Sequence, residues 1–205
     1  MRINAIKIFF ILFLAFQSAV ATDYYVSPGG NNDEGNGSIE KPWKTIGFAV
    51  KKIPANGGHI LNISAGTYFE SSPVEIPIGT SIVGAGINLT VIKASKSFYY
   101  HPEDPGFEPG RFLLRLDGPD QSNGNQALKG FTIDGSGKQL HGGIYVHSRN
   151  NILIENVKVQ YTNFSGIWIL KTKNSTIRKV TLLNCAWGSE AWCSAAFQCG
   201  SRVRP

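Results

Sequence analysis

Three residues in the second half of the sequence have side chains that could move a proton or bind a cation. Lys158 stands between Val157 and Val159, and an amine at this position could act as a base. Asp134 and Glu155 precede it and could hold Ca²⁺, a hard cation that takes oxygen ligands. The alternative is a solvated surface lysine near ordinary acids, so the fold around these residues decides between the two interpretations.

Aromatic and imidazole side chains form a second candidate group. Tyr145 and Trp168 could present their rings to a sugar, or they could simply lie under a loop. His141 and His147 are possible substrate contacts or surface residues. A tight group of carboxylates, which glycoside hydrolases require, does not occur in the sequence of residues 127–188.

The elements that must position these groups are short strands that recur along the chain. Residues 143–165 match residues 166–188 at a shift of 23, and Phe131–Ile133 matches Val157–Val159 at a shift of 26. The extra residues of the longer shift fit within the turn at Gly135–Gly142. The identical pairs in the 23-residue alignment are Gly143 with Gly166, Ile144 with Ile167, Asn151 with Asn174, Ile154 with Ile177, and Val157 with Val180.

Apolar residues alternate within each repeat, as Ile144 and Val146 do, and this period of two is typical of strands. Parallel neighbours need a long crossover, which the rest of each coil supplies, and stacked coils bury the inward face that one coil alone exposes. Such crossovers are right-handed. Asn151 and Asn174 precede new strands, where asparagine tolerates a left-handed corner. The sequence therefore predicts an all-β, right-handed parallel β-helix with its coils in residues 59–197.

Residues 22–58 are expected to form an N-terminal strand, a Gly/Asn loop and a capping helix. The segment from Pro42 to Ile53 has apolar residues at helical spacing, and proline suits the first turn of a helix. A helix here would cover the exposed end of the first coil. Residues 96–111 contain three prolines and are expected to leave the stack as a loop.

The first 21 residues have the features of a secretory signal peptide. Arg2 and Lys7 precede a short apolar run, and Ala19–Ala21 ends it with small residues, which is too short a segment for a stable membrane anchor. Cleavage would leave 184 residues, with a net charge of +4 because two of the excess positive charges are lost from the total of +6. We therefore expect a secreted, periplasmic or cell-surface protein without a membrane anchor, suited to an acidic partner. No Lys/Arg run indicates nucleic-acid binding.

Five short motifs stand near the start of the chain. They are Tyr24–Asp33, Gly37-Ser38, Lys41–Ile46, Gly57-Gly58 and Gly66–Tyr68. These motifs resemble the opening of secreted bacterial proteins in the pectin-lyase-like superfamily, and the nearest kin are pectate lyases of polysaccharide lyase family 9 and related right-handed β-helix proteins. The resemblance extends over residues 24–95 by motif and 127–188 by the style of the repeat.

The resemblance implies a lyase mechanism. In such enzymes a lysine or arginine takes the proton next to a uronate carboxylate, calcium often neutralises that carboxylate, and β-elimination follows. Two alternatives stay open: a non-catalytic carbohydrate-binding or cell-surface β-helix, and a glycoside hydrolase on the same fold. On the lyase interpretation the site residues are Lys158 as the base, Asp134 and Glu155 as calcium ligands, and Tyr145, Trp168 and His147 as substrate contacts.

The repeat fails after Gly188. Residues 198–205 show no apolar alternation, whereas a solenoid ends in a capping element. We therefore expect that the chain is C-terminally truncated or that its tail is out of frame, and that the full-length protein is a monomer. Three cysteines, Cys185, Cys193 and Cys199, cluster in this part of the sequence, and their odd number leaves the pairing open.

Overall fold

The computed structural model describes residues 21–97, 111–138 and 140–185, together with the backbone of residues 197–200. Several predictions fall wholly or largely outside these residues. They are the signal peptide (1–21), the loop at 96–111, the break in the repeat after Gly188 and most of the tail at 198–205.

The described chain consists of one helix and a series of strands, and all of the strand pairings are parallel. The elements in chain order are β1 (Asp23–Val26), α1 (Ile46–Lys52), β2 (His59–Ile63), β3 (Gly66–Glu70), β4 (Val74–Glu75), β5 (Thr80–Gly84), β6 (Thr90–Ala94), β7 (Phe112–Asp134), β8 (Gly142–Thr162), β9 (Ser165–Leu170), β10 (Thr176–Cys185) and β11 (Phe197–Gly200).

The parallel pairings divide the coil into three faces. The first face contains β1, β2 and β5 with the middle parts of β7 and β8 and the start of β10. The second face contains β3 and β6 with the ends of β7, β8 and β10. The third face contains β4, the starts of β7 and β8, and then β9 and β11. These pairings form a parallel β-helix, which confirms the predicted fold class.

Residues in the left-handed conformation mark the corners between faces. The predicted corner residues Asn151 and Asn174 have φ angles of 59° and 53°, as expected for asparagine at such a turn. The Asn151 amide also donates to the side chain of Asn125 on the preceding coil at 2.9 Å. A second corner recurs at Gly130, Asn156 and Lys179, with φ angles of 68°, 53° and 53°.

The observed register matches the predicted repeat. Ile144 lies opposite Ile167 at the shift of 23, and Val157 lies opposite Phe131 at the shift of 26. Side chains at these positions are at most 1% exposed. The inward residues of successive coils therefore form one continuous apolar core, as the alternation predicted.

The helix is shorter than predicted. It begins at Ile46 rather than at Pro42, because Trp43 is bound to the first strand. The Trp43 backbone N–H donates to the Tyr25 carbonyl at 3.0 Å, and its carbonyl accepts from Ser27 at 2.9 Å. This extended pairing delays the helical conformation until Ile46, three residues later, since Thr45 is still extended. The helix packs against β3 and β4, and its role as a cap stays a prediction. Within the described ranges, no helix is long and apolar enough to cross a membrane.

Candidate functional site

The structure distributes the sequence-predicted site residues over three faces instead of bringing them together. A left-handed residue, Asn156, separates the first face from the second within β8. The residues lie as follows: Glu155 on the first face, Lys158 and Asp134 on the second, and Tyr145, His147 and Trp168 on the third.

The carboxylate of Asp134 is already paired. Its Oδ2 lies 3.0 Å from the Lys93 amine, and its Oδ1 accepts the backbone N–H of Ser136 at 2.9 Å. Burial raises the pKa of Asp134, but the bonds from Ser136 and Lys93 outweigh this effect and hold the pKa below its usual value. Asp134 is therefore an ionised partner of Lys93 at neutral pH.

Glu155 is paired on a different face. It lies 2.9 Å from the Arg178 guanidinium and 3.7 Å from the Lys129 amine, and the hydrogen bond from Arg178 lowers its pKa. Among the described residues, no group of three or more His, Cys, Asp or Glu side chains could hold a metal ion. The predicted calcium pair, Asp134 and Glu155, therefore does not fit one ion, because its members belong to separate faces and each has its own cation.

Lys158 lies opposite Thr132 and Thr181, as the repeat predicted. Its amine forms no ion pair with any residue in the described part of the chain. Asp134, the nearest predicted partner, lies opposite Gln160, two residues further along the strand. The second face therefore supplies a half-buried lysine without an acid–base partner among the described side chains.

The third face carries a denser group of polar side chains, called here the third-face site: Glu75, Arg115, Asp117, Tyr145 and His147. Arg115 lies opposite Glu75 on one side and Tyr145 on the other, and Asp117 lies opposite His147. Side chains two residues apart in a strand point to the same side of the sheet, so the register alone places these side chains next to one another.

His147 and Asp117 form an acid–base contact within the site. The Nδ1 atom of His147 lies 2.8 Å from Oδ1 of Asp117, and the two side chains are 25% and 34% exposed. A carboxylate at Nδ1 orients the ring and favours the tautomer whose Nε2 accepts a proton. The Tyr145 ring lies almost parallel to the imidazole, with centroids 5.9 Å apart.

Ser148 adds a contact that resembles a serine–histidine–aspartate arrangement. Its hydroxyl oxygen lies 3.4 Å from Nε2 of His147. However, Ser148 is completely buried, so a substrate carbonyl cannot approach its hydroxyl. Its φ of 54° belongs to a coil corner, since Lys171 on the next coil has a φ of 49°. The geometry favours acid–base chemistry at His147 over nucleophilic attack by Ser148.

Arg115 connects the two carboxylates of the site. It binds Glu75 on the preceding coil, and its Nη2 lies 3.2 Å from Oδ2 of Asp117. Its guanidinium also lies over the Tyr145 ring, 5.9 Å from the centroid. A guanidinium binds carboxylates with fork geometry, and the Glu75 side chain is 55% exposed. A carboxylate from solution could therefore take the place of Glu75.

A buried arginine supports Asp117 from behind. Arg149 is 6% exposed, donates to the Gln126 side chain at 2.6 Å, and also binds the backbone carbonyl of Asp117. Burial lowers the pKa of Arg149, while Asp117 and Glu75 raise it. This contact fixes the backbone of the residue that orients His147.

An aromatic layer lies beside the site. The ring of His141 stacks on Phe164 at 4.3 Å, and Phe164 stacks on Trp168 at 4.9 Å. Tyr145 packs on Phe112 at 5.5 Å and is only 2% exposed. Tyr145 is therefore part of the packing, and its ring is not open to a sugar as the sequence suggested. Burial, assisted by the charge of Arg111, lowers the pKa of His141 to about 4.

Sequence reasoning missed Arg115, Asp117 and Arg149 as site residues. Asp117 stands before a Gly-Pro pair, which favours a turn-capping role, and its Oδ1 does accept the Gly118 N–H at 2.9 Å. The shift from Asp117 to His147 is 30 residues, so neither repeat length aligns them. The register slips between Asp117 and Gln126 account for this difference.

Comparison with solved structures shows the same fold. A protein titled rhamnogalacturonan lyase matches with a TM-score of 0.53 and 15% identity, covering 87% of this chain and 50% of that one. A pectin methylesterase mutant in complex with a hexasaccharide matches with a TM-score of 0.51 and 14% identity, covering 84% of this chain and 58% of that one. The chain spans about half the length of these proteins. A search of curated proteins finds no match.

A family model described as "Protein of unknown function (DUF1565)" matches residues 29–191. This span includes every strand from β2 to β10 and all of the third-face site. The chain therefore belongs to the DUF1565 family, a family of right-handed β-helix proteins, and it has the pectin-lyase-like fold.

Proposed function

We propose that this protein acts on an acidic polysaccharide at the third-face site and cleaves it by β-elimination, with His147 as the base. The observation that carries the proposal is the 2.8 Å contact between His147 and Asp117 on a face shared with Arg115. The similar folds of a rhamnogalacturonan lyase and of a pectin methylesterase bound to a hexasaccharide support the substrate class.

The reaction assigns one task to each group. Nε2 of His147 takes the proton from the carbon next to the uronate carboxylate, and Asp117 stabilises the imidazolium that results. The electron pair of the broken C–H bond forms a double bond to the neighbouring carbon, whose bond to the glycosidic oxygen breaks. The departing oxygen takes a proton from water and leaves as an alcohol. Arg115 binds the substrate carboxylate in place of Glu75 and stabilises the negative charge that develops there.

The shape of the third face suits a polymer. Successive coils are about 4.8 Å apart, and the third face presents Glu75, Arg115 and His147 on three successive coils. A chain that runs along the coil axis would contact a new row of side chains at each step. The net charge of +4 that remains after the +6 of the full chain loses Arg2 and Lys7 favours the approach of a polyanion.

The test measures unsaturated uronate ends by ultraviolet absorbance, with polygalacturonate, alginate and chondroitin sulfate as substrates. His147→Ala should lower the rate about 10²–10⁴-fold, the usual contribution of a general base. Lys158→Ala is the matched control, because it removes the base that the sequence predicted on the second face. Loss of activity in Lys158→Ala but not in His147→Ala would indicate that the reaction occurs on the second face. No unsaturated product from the wild type with any of the three polymers would refute the proposal.

A non-catalytic binding protein is the second candidate. It is favoured by the pairing of Arg115 with both Glu75 and Asp117. A guanidinium that already binds two carboxylates stabilises less of the negative charge that develops on a substrate. Retention on a polysaccharide affinity gel without product would support this function. New reducing ends without unsaturation would instead indicate a glycoside hydrolase.

We further propose that the protein is exported and works as a monomer. The basic start and the short apolar run of residues 1–21 support export. Cell fractionation and N-terminal sequencing test this proposal, and the expected mature chain begins at Thr22. Light scattering of the mature protein measures its oligomeric state.

A further inference from the structure

A cleft of about 310 Å³ lies where α1 meets β3 and β4. It opens beside the third-face site and takes no part in the proposed elimination. The lining residues used below are Lys51, Phe69, Glu70, Ser71, Ser72 and Glu75.

The cleft is continuous with the third-face site through one residue. Glu75 lines the cleft and also binds Arg115. Arg115 belongs to the next coil, opposite Glu75 in the register, so the two positions are about one coil step of 4.8 Å apart. A polysaccharide with a uronate at Arg115 would therefore place its next sugar at the cleft.

The charges in the cleft disfavour a second uronate. Glu70 is only 5% exposed and accepts the backbone N–H groups of Ile46 and Gly47 at 2.8 and 3.0 Å. Together with Glu75, it gives the cleft two carboxylates, and Lys51 is the lining residue that opposes them. A further carboxylate would add like-charge repulsion at short range.

The remaining lining groups suit an uncharged sugar ring. Phe69 is 58% exposed, which is unusual for a large aromatic residue and leaves its ring available to the apolar face of a pyranose. Ser71 and Ser72 supply hydroxyl groups at the same cleft, and Lys51 can donate to sugar hydroxyls.

We propose that this cleft is a subsite for an uncharged sugar, adjacent to the uronate at Arg115, so that the preferred substrate alternates uronate and neutral residues. This inference rests on the proposed function for the position of the uronate. It does not depend on whether the bond is then cleaved, because binding alone can test it.

The experiment is titration calorimetry with two hexasaccharide probes. One is a polygalacturonate hexasaccharide, in which every sugar carries a carboxylate, and the other alternates galacturonate with rhamnose. The wild type should bind the alternating probe more tightly. Phe69→Ala should weaken that binding about five- to tenfold, the loss expected for one aromatic contact, and should leave the all-uronate probe nearly unchanged. Phe69→Tyr should retain the affinity.

Leu183→Ala is the matched control, because Leu183 is another exposed apolar residue, 40% exposed, that lies outside the cleft. Equal affinity for the two probes, or equal losses with both in Phe69→Ala, would overturn the neutral subsite. If unsaturated product forms while Phe69→Ala binds both probes normally, the subsite is wrong and the elimination stands. If the alternating probe binds through Phe69 without any product, the subsite stands and the elimination is wrong.

Discussion

The buried imidazole of His141 should make the protein sensitive to acid. Its ring is completely buried between Phe112 and Phe164, and burial lowers its pKa from 6.5 to about 4. The unfolded chain therefore binds a proton between pH 6.5 and pH 4 that the folded protein does not bind. By linkage, the free energy of unfolding must fall as the pH decreases through this window.

The size of this effect follows from the pKa difference. The difference between a pKa of 6.5 and one of about 4 is equivalent to roughly 3 kcal/mol, and this stability is present above pH 6.5 and is lost by about pH 4. Such an amount is a large part of the stability of an ordinary domain. The His141→Phe variant keeps an aromatic ring in the layer but has no proton to bind, so it should lack this part of the pH dependence.

Urea denaturation of the wild type and of His141→Phe at pH 7, 5.5 and 4 measures the effect. Other acids titrate equally in both proteins, so the difference between their unfolding free energies isolates His141 and should change by roughly 3 kcal/mol across the series. Phe164→Leu is the matched control, because it disturbs the same aromatic layer and keeps the imidazole. Parallel stability profiles for the wild type and His141→Phe would refute the reasoning.

Three further substitutions test the coil. Lys179→Gly should raise the free energy of unfolding in urea denaturation by about 0.5–1 kcal/mol, because glycine adopts the corner φ of 53° without strain. Lys173 lies outside the left-handed positions, so Lys173→Gly should give no gain in the same assay. Arg149→Met should cost about 3 kcal/mol by removing a buried donor, and a cost below about 0.5 kcal/mol in chemical denaturation would contradict its bonding role. Thr90→Val should cost about 1–3 kcal/mol in thermal unfolding, because the buried hydroxyl accepts the Ala85 N–H at 2.9 Å, and an unchanged midpoint would show that this bond contributes nothing.

The repeat was predictable because strand pairing in a solenoid preserves sequence spacing. Ile144 and Ile167 contact each other across one coil, so a shift read from the sequence is also a contact in space. The corner asparagines were predictable for a similar reason, since their side chains suit a left-handed backbone. The first residue of the helix was harder to predict from the sequence, because it depends on the pairing of Trp43 with a strand that is not adjacent to it in the chain.

The third-face site was not predictable from the same spacing. The contact between Asp117 and His147 depends on a strand pairing that includes register slips. Assignment of residues to faces also depends on corners such as Lys179, where lysine gives no sign of a left-handed backbone. Without those corners, the sequence places Glu155 and Lys158 on one continuous surface, whereas the structure turns the chain between them.

The left-handed corners that recur from coil to coil allow the three faces to change independently in evolution. Because Asn156 and Lys179 repeat the same turn on successive coils, a substitution on an outward position of one face leaves the geometry of the other two intact. A binding surface could therefore be lost from one side of the coil and a different one gained on another side while the core stays the same. Relatives that share this fold would then differ in which side of the solenoid carries their activity.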